Sequence, residues 1–492
     1  MNELPDLVLP DDDDLLDALK AIPAALSGYG YNEVNIRELL GVGDPGQLLS
    51  DNIPGYLWRC QKANSVLALL VAFFLLHQPV RRASLEEYLG DEEVAALIAA
   101  GVVVDDGEAV RSTVDLYPIF GRYVFTDPVL ARQQSEGHVY ELGADSYAIA
   151  RVTPRKRVLR TLDLCTGSGV HAILAGGHSE EVVGVDINPR ALAYSRLNAH
   201  MNGVAESCTF VEGDLFAPVP QARYDLITVN PPFVPSPDRT VAIHRSPGET
   251  GEEVSSRLVA ALPEYLAVGG LFSMVLDYPV MRDSTYLERL GEWLGESHGW
   301  GIAILDFGAV PNEKYILGHL DFNVGWSNFQ ETFQQYLESY ERLGITSVGF
   351  ANVFIKRLTD NTPTWGHRFS TRVPSVFLCD RVEEWLDGLE DYGNPDWDPD
   401  WEFWKPRLSP HYSTLWRDSK KKRGLLESSD LNWCQPLALD RLQAMLAARL
   451  DGKKTGEELV QGWAKSRRLD LDAARREVVE ILRFLGCQGA LN

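Results

Sequence analysis

The chain reads as an α/β protein built on a doubly wound, mainly parallel sheet, with helical, winged-helix-like domains at its N- and C-terminal ends. Three observations predict this. Strand-sized apolar runs alternate with helical patterns through the middle of the chain, the βαβ rhythm of a parallel sheet. Successive strand ends carry glycine, acidic or amide residues, and doubly wound sheets bind ligands at those ends. Both flanks lose that rhythm and show helical apolar spacing instead.

Composition sets the bounds. The chain has 492 residues, enough for about three domains, with 45% hydrophobic and 24% charged residues. It holds 46 basic and 70 acidic side chains, a net charge of −24. Such a surface repels phosphate backbones and anionic lipid, which argues against a general nucleic-acid or membrane binder. Six cysteines stand too far apart for CxxC-type metal or redox pairs, so no metal is expected and free thiols in a reducing cytoplasm are. The first residues lack the basic and apolar regions of a secretory leader. The longest apolar run, Val66 to Leu76, is too short to span a bilayer and predicts a buried helix.

Residues 1–115 read as the N-terminal domain. An amphipathic pattern opens at Asp14, the run at 66–76 follows, and Ser84-Leu85-Glu86-Glu87 looks like a helix start. Val102–Val104, the turn Asp105-Asp106-Gly107 and Ala109–Val114 predict a hairpin. Helices followed by a hairpin suggest a winged helix acting as a lid or dimerisation module, so a homodimer through the terminal domains is an expectation. Residues 116–355 form the sheet domain. Strand candidates are Leu159–Leu164, Val182–Val185, Cys208–Val211, Leu226–Val229, Leu271–Leu276 and Ile302–Phe307. Residues 356–416 are rich in Trp, Asp and Pro and predict an irregular excursion whose tryptophans pack onto the main domain. Residues 417–492 carry 15 basic and 11 acidic residues and predict a small helical domain, with helical patterns at 437–450, 455–465 and 471–485.

The chemistry lies at the strand ends. The first candidate strand runs through Asp163 into Cys165-Thr166-Gly167-Ser168-Gly169, a turn whose glycines permit close approach of a ligand. The second ends at Asp186-Ile187-Asn188, where a carboxylate can accept both hydroxyls of a ribose. The third is followed by Asp214-Leu215, where an acid can accept from an adenine amino group. The fourth ends in Asn230-Pro231-Pro232-Phe233. Here an amide oxygen and a proline carbonyl can fix an NH2 group, and an aromatic face can stack on a planar acceptor. No strong general base is obvious, and positioning alone can carry much of such a displacement.

This ordered series resembles the class I S-adenosylmethionine-dependent methyltransferases over roughly residues 138–280. The Asn-Pro-Pro-Phe tetrapeptide is similar to that of their N-methyltransferase branch, which includes release-factor glutamine methyltransferases and adenine amino-methyltransferases. The resemblance implies a sheet of the seven-stranded type, S-adenosylmethionine as cofactor and S-adenosylhomocysteine as product. It implies that Asp163, Cys165, Thr166, Gly167 and Gly169 line the methionine part of the cofactor. Asp186, Ile187 and Asn188 would hold the ribose, Asp214 and Leu215 the adenine, and Asn230 would touch both cofactor and acceptor. Asn230, Pro231, Pro232 and Phe233 become the catalytic candidates. Asp145 and Ser146 resemble an acidic and hydroxyl pair placed over the cofactor. Tyr123, Phe233, His244 and Arg245 complete the expected acceptor pocket. The acceptor stays open between a small molecule, amino acid or peptide side chain and an exocyclic amine of RNA or DNA. The acidic balance argues for the first and the basic tail keeps the second; a non-catalytic binder of the cofactor is the third alternative.

Overall fold

The computed structural model describes residues 6–129, 137–237, 248–295, 298–320, 325–418, 423–428 and 437–491. Six helices open the chain: α1 (Asp13–Gly28), α2 (Glu33–Leu40), α3 (Ile53–Ala63), α4 (Val66–Phe74), α5 (Arg82–Leu89) and α6 (Asp91–Ala99). The apolar run is α4, capped by Ser65 accepting from Ala68 N and packed into a core. Among the described residues no helix is long and apolar enough to cross a membrane. The expected hairpin follows as β1 (Val103–Asp105) and β2 (Val110–Ser112). A second hairpin, β3 (Asp115–Ile119) with β4 (Arg122–Thr126), leads to α7 (Ala144–Val152).

Strand and helix then alternate: β5 (Val158–Leu164), α8 (Val170–Ala175), β6 (Ser179–Asp186), α9 (Pro189–Met201), β7 (Cys208–Glu212), β8 (Tyr224–Val229), α10 (Glu253–Tyr265), β9 (Leu266–Met281), α11 (Tyr286–Leu294) and β10 (Trp300–Pro311). Two helices, α12 (Asn312–Leu317) and α13 (Trp326–Leu343), separate β10 from β11 (Ile345–Arg357). Next come β12 (Trp365–Ser370), α14 (Cys379–Tyr392), β13 (Tyr412–Asp418), β14 (Arg423–Ser428), β15 (Leu437–Leu439), α15 (Arg441–Ala447), α16 (Gly456–Arg467) and α17 (Leu471–Cys487).

The central sheet has eight strands in the order β12-β10-β11-β9-β8-β5-β6-β7. Only β11 runs antiparallel to its neighbours, so the carboxyl ends of the other seven share one edge. Helices α7, α8 and α9 cover one face, whereas α10 and α11 pack on the other with Leu258, Leu262 and Leu290. Asn198 of α9 and Asn202 just past its end bond the backbone of Phe125 and Tyr123 on β4. This ties the N-terminal helices to the sheet.

Two regions differ from expectation. The Trp-rich stretch is not merely irregular: it supplies β12, an eighth strand parallel to β10, and the amphipathic α14. Its tryptophans do pack, with Trp397, Trp401 and Trp404 in mutual edge contacts, and they share one core with α14 to α17. The C-terminal segment is not purely helical, since β13, β14 and β15 form a three-stranded sheet and the pattern from 437 splits into β15 and α15.

Candidate active site

The turn after β5 is built from the inside. Asp163 is 1% exposed and accepts from Thr166 Oγ1 (2.6 Å), Thr228 Oγ1 (2.7 Å) and Ala172 N (3.1 Å). Burial pushes its carboxyl up to about 6, against these three hydrogen bonds, which favour the ionised form. Asp163 and Thr166, both expected to line a ligand, are hydrogen-bonded to each other within the turn. Both side chains are spent bracing the turn, and Thr166 is itself buried. Gly169 turns inward as well: a Cβ there would lie 3.0 Å from Ser195 of α9. Ser195 Oγ donates to Gly167 O at 2.8 Å and pins the loop.

Gly167 is the open position. Its φ is +54°, and a Cβ built there meets nothing within 4 Å. Gly167 N donates to Asp186 Oδ2 (2.8 Å), and Asn188 N donates to Asp186 Oδ1 (2.9 Å). Burial raises the Asp186 carboxyl above its ordinary range. Asn188 caps α9 and donates to Gly137 O, so its side chain serves the fold. Ile187 is 58% exposed beside Asp186. Leu215 is buried at φ +51°, and Asp214 is paired with Arg257 at 2.6 Å. Cys165, at φ +56°, has its thiol pushed well up by burial and by Asp186, which disfavours the reactive thiolate.

The tetrapeptide follows β8. Asn230 Nδ2 donates to Asp145 Oδ2 at 2.7 Å and reaches Ser146 Oγ at 3.5 Å. Residues 84 and 85 positions apart thus meet because α7 packs its first turn over the end of β8. Pro231 is buried; Pro232 and Phe233 are partly buried. No cis peptide occurs among the described residues. The loop beyond is held by Tyr340 Oη donating to Pro235 O and by the Ser236–Tyr336 hydroxyl pair, both from α13. Gly251 (φ +77°) lets that loop double back: a Cβ there would sit 2.3 Å from Phe233 O.

Two expected acceptor residues, His244 and Arg245, lie outside the described residues. A third, Tyr123, does not belong to the pocket. It is 4% exposed in the N-terminal core, 6.3 Å from the Tyr31 ring, because its strand pairs away from the sheet edge.

One residue escaped the sequence. On β9, Ser273 bonds Thr153 (2.8 Å) and Val275 packs on Ala148 and Ile149, so alternate residues face α7. Two residues on, Asp277 faces the first turn of α7, where Asp145 lies. Tyr315 Oη of α12 donates to Asp277 Oδ2 at 2.8 Å, and Tyr315 shares an aromatic cluster with Phe233. Burial pushes the Asp277 carboxyl up to about 7, helped by the Asp145 charge and opposed by the Tyr315 hydrogen bond. The apolar run at 271–276 stops one residue short of it. An acid directly after the apolar run was the available signal.

The strand order, the single antiparallel strand and the ordered strand-end residues define a class I S-adenosylmethionine-dependent methyltransferase. Residues 144–296 match the family described as methyltransferase small domain, and residues 28–113 match a domain of unknown function. The chain is 37% identical over 164 residues to the ribosomal protein uL3 glutamine methyltransferase of Bradyrhizobium diazoefficiens, covering 31% of this chain and 51% of that protein. It is 32% identical over 143 residues to a Methanocaldococcus jannaschii protein with the provisional name protein N5-glutamine methyltransferase, covering 28% of this chain and 71% of that one. It is 36% identical over 129 residues to the release factor glutamine methyltransferase of Deinococcus radiodurans, covering 24% and 45%. The chain belongs to this glutamine N-methyltransferase branch of the class. It spans about half the length of most of these relatives.

Proposed function

We propose that this chain transfers a methyl group from S-adenosylmethionine to the side-chain amide nitrogen of a glutamine in a protein or peptide. The observation that carries the reading is the clamp on Asn230. With Nδ2 held by Asp145, its Oδ1 is left as an acceptor beside the carbonyl of Pro231, which has no N–H. Two acceptors suit an NH2 group and leave its lone pair free. Phe233 offers a flat face to a planar amide.

The residues present fit the cofactor. Gly167 leaves an open cradle, and the Asp186 carboxylate, held by backbone N–H groups, retains acceptor capacity. Exposed Ile187 offers an apolar plate at the strand tip. Gly167 would hold the methionine part, Asp186 the ribose, and Ile187 with Leu215 the adenine. When bound, S-adenosylmethionine supplies a methyl group already activated for displacement. The chain's own part is to orient the acceptor, and positioning of this kind is worth up to about 7–11 kcal/mol. The net charge of −24 favours a neutral or basic acceptor segment.

The test supplies methyl-labelled S-adenosylmethionine with glutamine-bearing peptides, and with RNA as the competing acceptor. Label should appear in N5-methylglutamine and fall at least about 100-fold in Asn230→Ala. Label in an exocyclic base amine, lost in the same variant, would refute the reading.

A further inference from the structure

An amide nitrogen presents a chemical problem that the clamp does not solve. Its lone pair is delocalised, and it must lose a proton when it gains a methyl group. Neither Asn230 nor a proline carbonyl can take that proton at neutral pH. The acceptor side of the site is closed by three elements. The end of β8 carries Asn230 and Phe233, the first turn of α7 carries Asp145, and α12 carries Tyr315. Asp277, from β9, adjoins two of these, α7 and α12: it accepts from Tyr315, feels the Asp145 charge and stands on the face that packs against α7.

We propose that Asp277 receives the proton given up by the acceptor amide nitrogen, held in place by Tyr315. This rests on the amide-acceptor reading above. The balance is simple. As the nitrogen–carbon bond forms, the carbon–sulfur bond breaks and its electron pair goes to sulfur. The nitrogen then sheds one hydrogen as a proton to the Asp277 carboxylate, which passes it to water. Asp277 must be ionised to act. The ionisable groups facing it are Asp145 from α7, Tyr315 from α12 with His319 stacked behind it (4.2 Å between ring centroids), and Tyr340 from α13. Burial, with the Asp145 charge, opposes ionisation and the Tyr315 hydroxyl favours it, which leaves the carboxyl near neutrality, where a general base is most effective. A second use of α12 follows. Inserted between β10 and β11, it brings Tyr315 over the carboxyl edge of the sheet, so the insertion tunes the acid.

The experiment measures kcat against pH on a glutamine peptide. Wild-type activity should fall on the acid side with a midpoint near 7. Asp277→Asn should lower the plateau about 10²–10³-fold and abolish that acid limb. Tyr315→Phe removes a hydrogen bond to the ionised form, so its limb should move to higher pH, with a smaller plateau loss than in Asp277→Asn. S-adenosylhomocysteine binding by calorimetry should be unchanged in both. If the two variants lose equal activity with the limb unmoved, Asp277 merely anchors α12 and the proposal falls. An independent measurement separates this from the choice of acceptor. Infrared difference spectra should show a carboxyl band that titrates near pH 7, absent in Asp277→Asn and shifted up in Tyr315→Phe. A carboxyl that stays ionised at pH 5 overturns the proposal whatever the acceptor.

Discussion

Replacing Gly251 with alanine should separate catalysis from cofactor binding. Gly251 has φ +77°, and the added Cβ would sit 2.3 Å from Phe233 O and 3.0 Å from Pro235 N. Both neighbours are backbone, so no side chain can swing away. Ordinary contact begins about 1 Å further out, so the loop carrying Phe233 must move by that amount. The left-handed conformation itself costs alanine about 1–2 kcal/mol relative to glycine. A 1 Å misplacement of a positioning group lowers turnover about 100-fold. Gly167→Ala is the control. It has φ +54° but meets nothing within 4 Å, so it should fold with a loss of only the conformational cost of about 1–2 kcal/mol. Its methyl group would fill the open cradle and weaken S-adenosylhomocysteine about tenfold or more. Urea unfolding, calorimetry and single-turnover transfer read the three quantities. Gly251→Ala with normal kcat, or Gly167→Ala with normal cofactor affinity, would show that the two loops do not divide the work in this way.

Three further outcomes are expected. Asp186→Ala should abolish calorimetric binding of S-adenosylhomocysteine, because it removes the carboxylate that also accepts from Gly167 N; Asp214→Ala should weaken binding less, since Arg257 already engages that acid. His171 is 7% exposed, and burial lowers its imidazole to about 3. The unfolded chain takes up that proton near pH 6.5 and the folded chain does not, so stability should fall as pH drops below about 6.5 towards 3; denaturation midpoints for His171→Leu should lose that part of the pH dependence. Arg151 and Asp44 form a buried pair, 2% and 6% exposed, with Arg151 Nη1 also donating to Pro374 O at 3.0 Å. Asp44→Ala leaves the guanidinium unpaired and should cost about 3–5 kcal/mol in urea unfolding, with Asp44→Asn milder.

Much of the fold was legible because its signals are local. Alternating apolar runs marked six sheet strands to within a few residues, except at β9 and β10, which run on beyond their apolar cores. The glycine turn and the tetrapeptide are contiguous in sequence, so their residue types announced a ligand edge before any packing was known. Neither β11 nor β12 is marked by the apolar spacing, and β12 (Trp-Gly-His-Arg-Phe-Ser) is an edge strand with polar residues outward. The inward roles of Asp163 and Thr166 were hidden too, since an acid at a strand end reads the same whether it faces ligand or loop.

What the sequence determined alone was the βαβ order, the glycine-bearing turn and the amide-proline tip, each written in neighbouring residues. What only the tertiary structure decided was which distant side chains share that tip. Asp145 meets Asn230, and Asp277 meets Tyr315, because helices close over the sheet edge. Tyr123 leaves the pocket for the N-terminal core because hairpin pairing, not proximity in sequence, sets where a ring is buried. Local spacing encodes secondary structure through short-range sterics and apolar periodicity. The partner of a polar side chain follows from how whole elements stack, and no short stretch of residues contains that information.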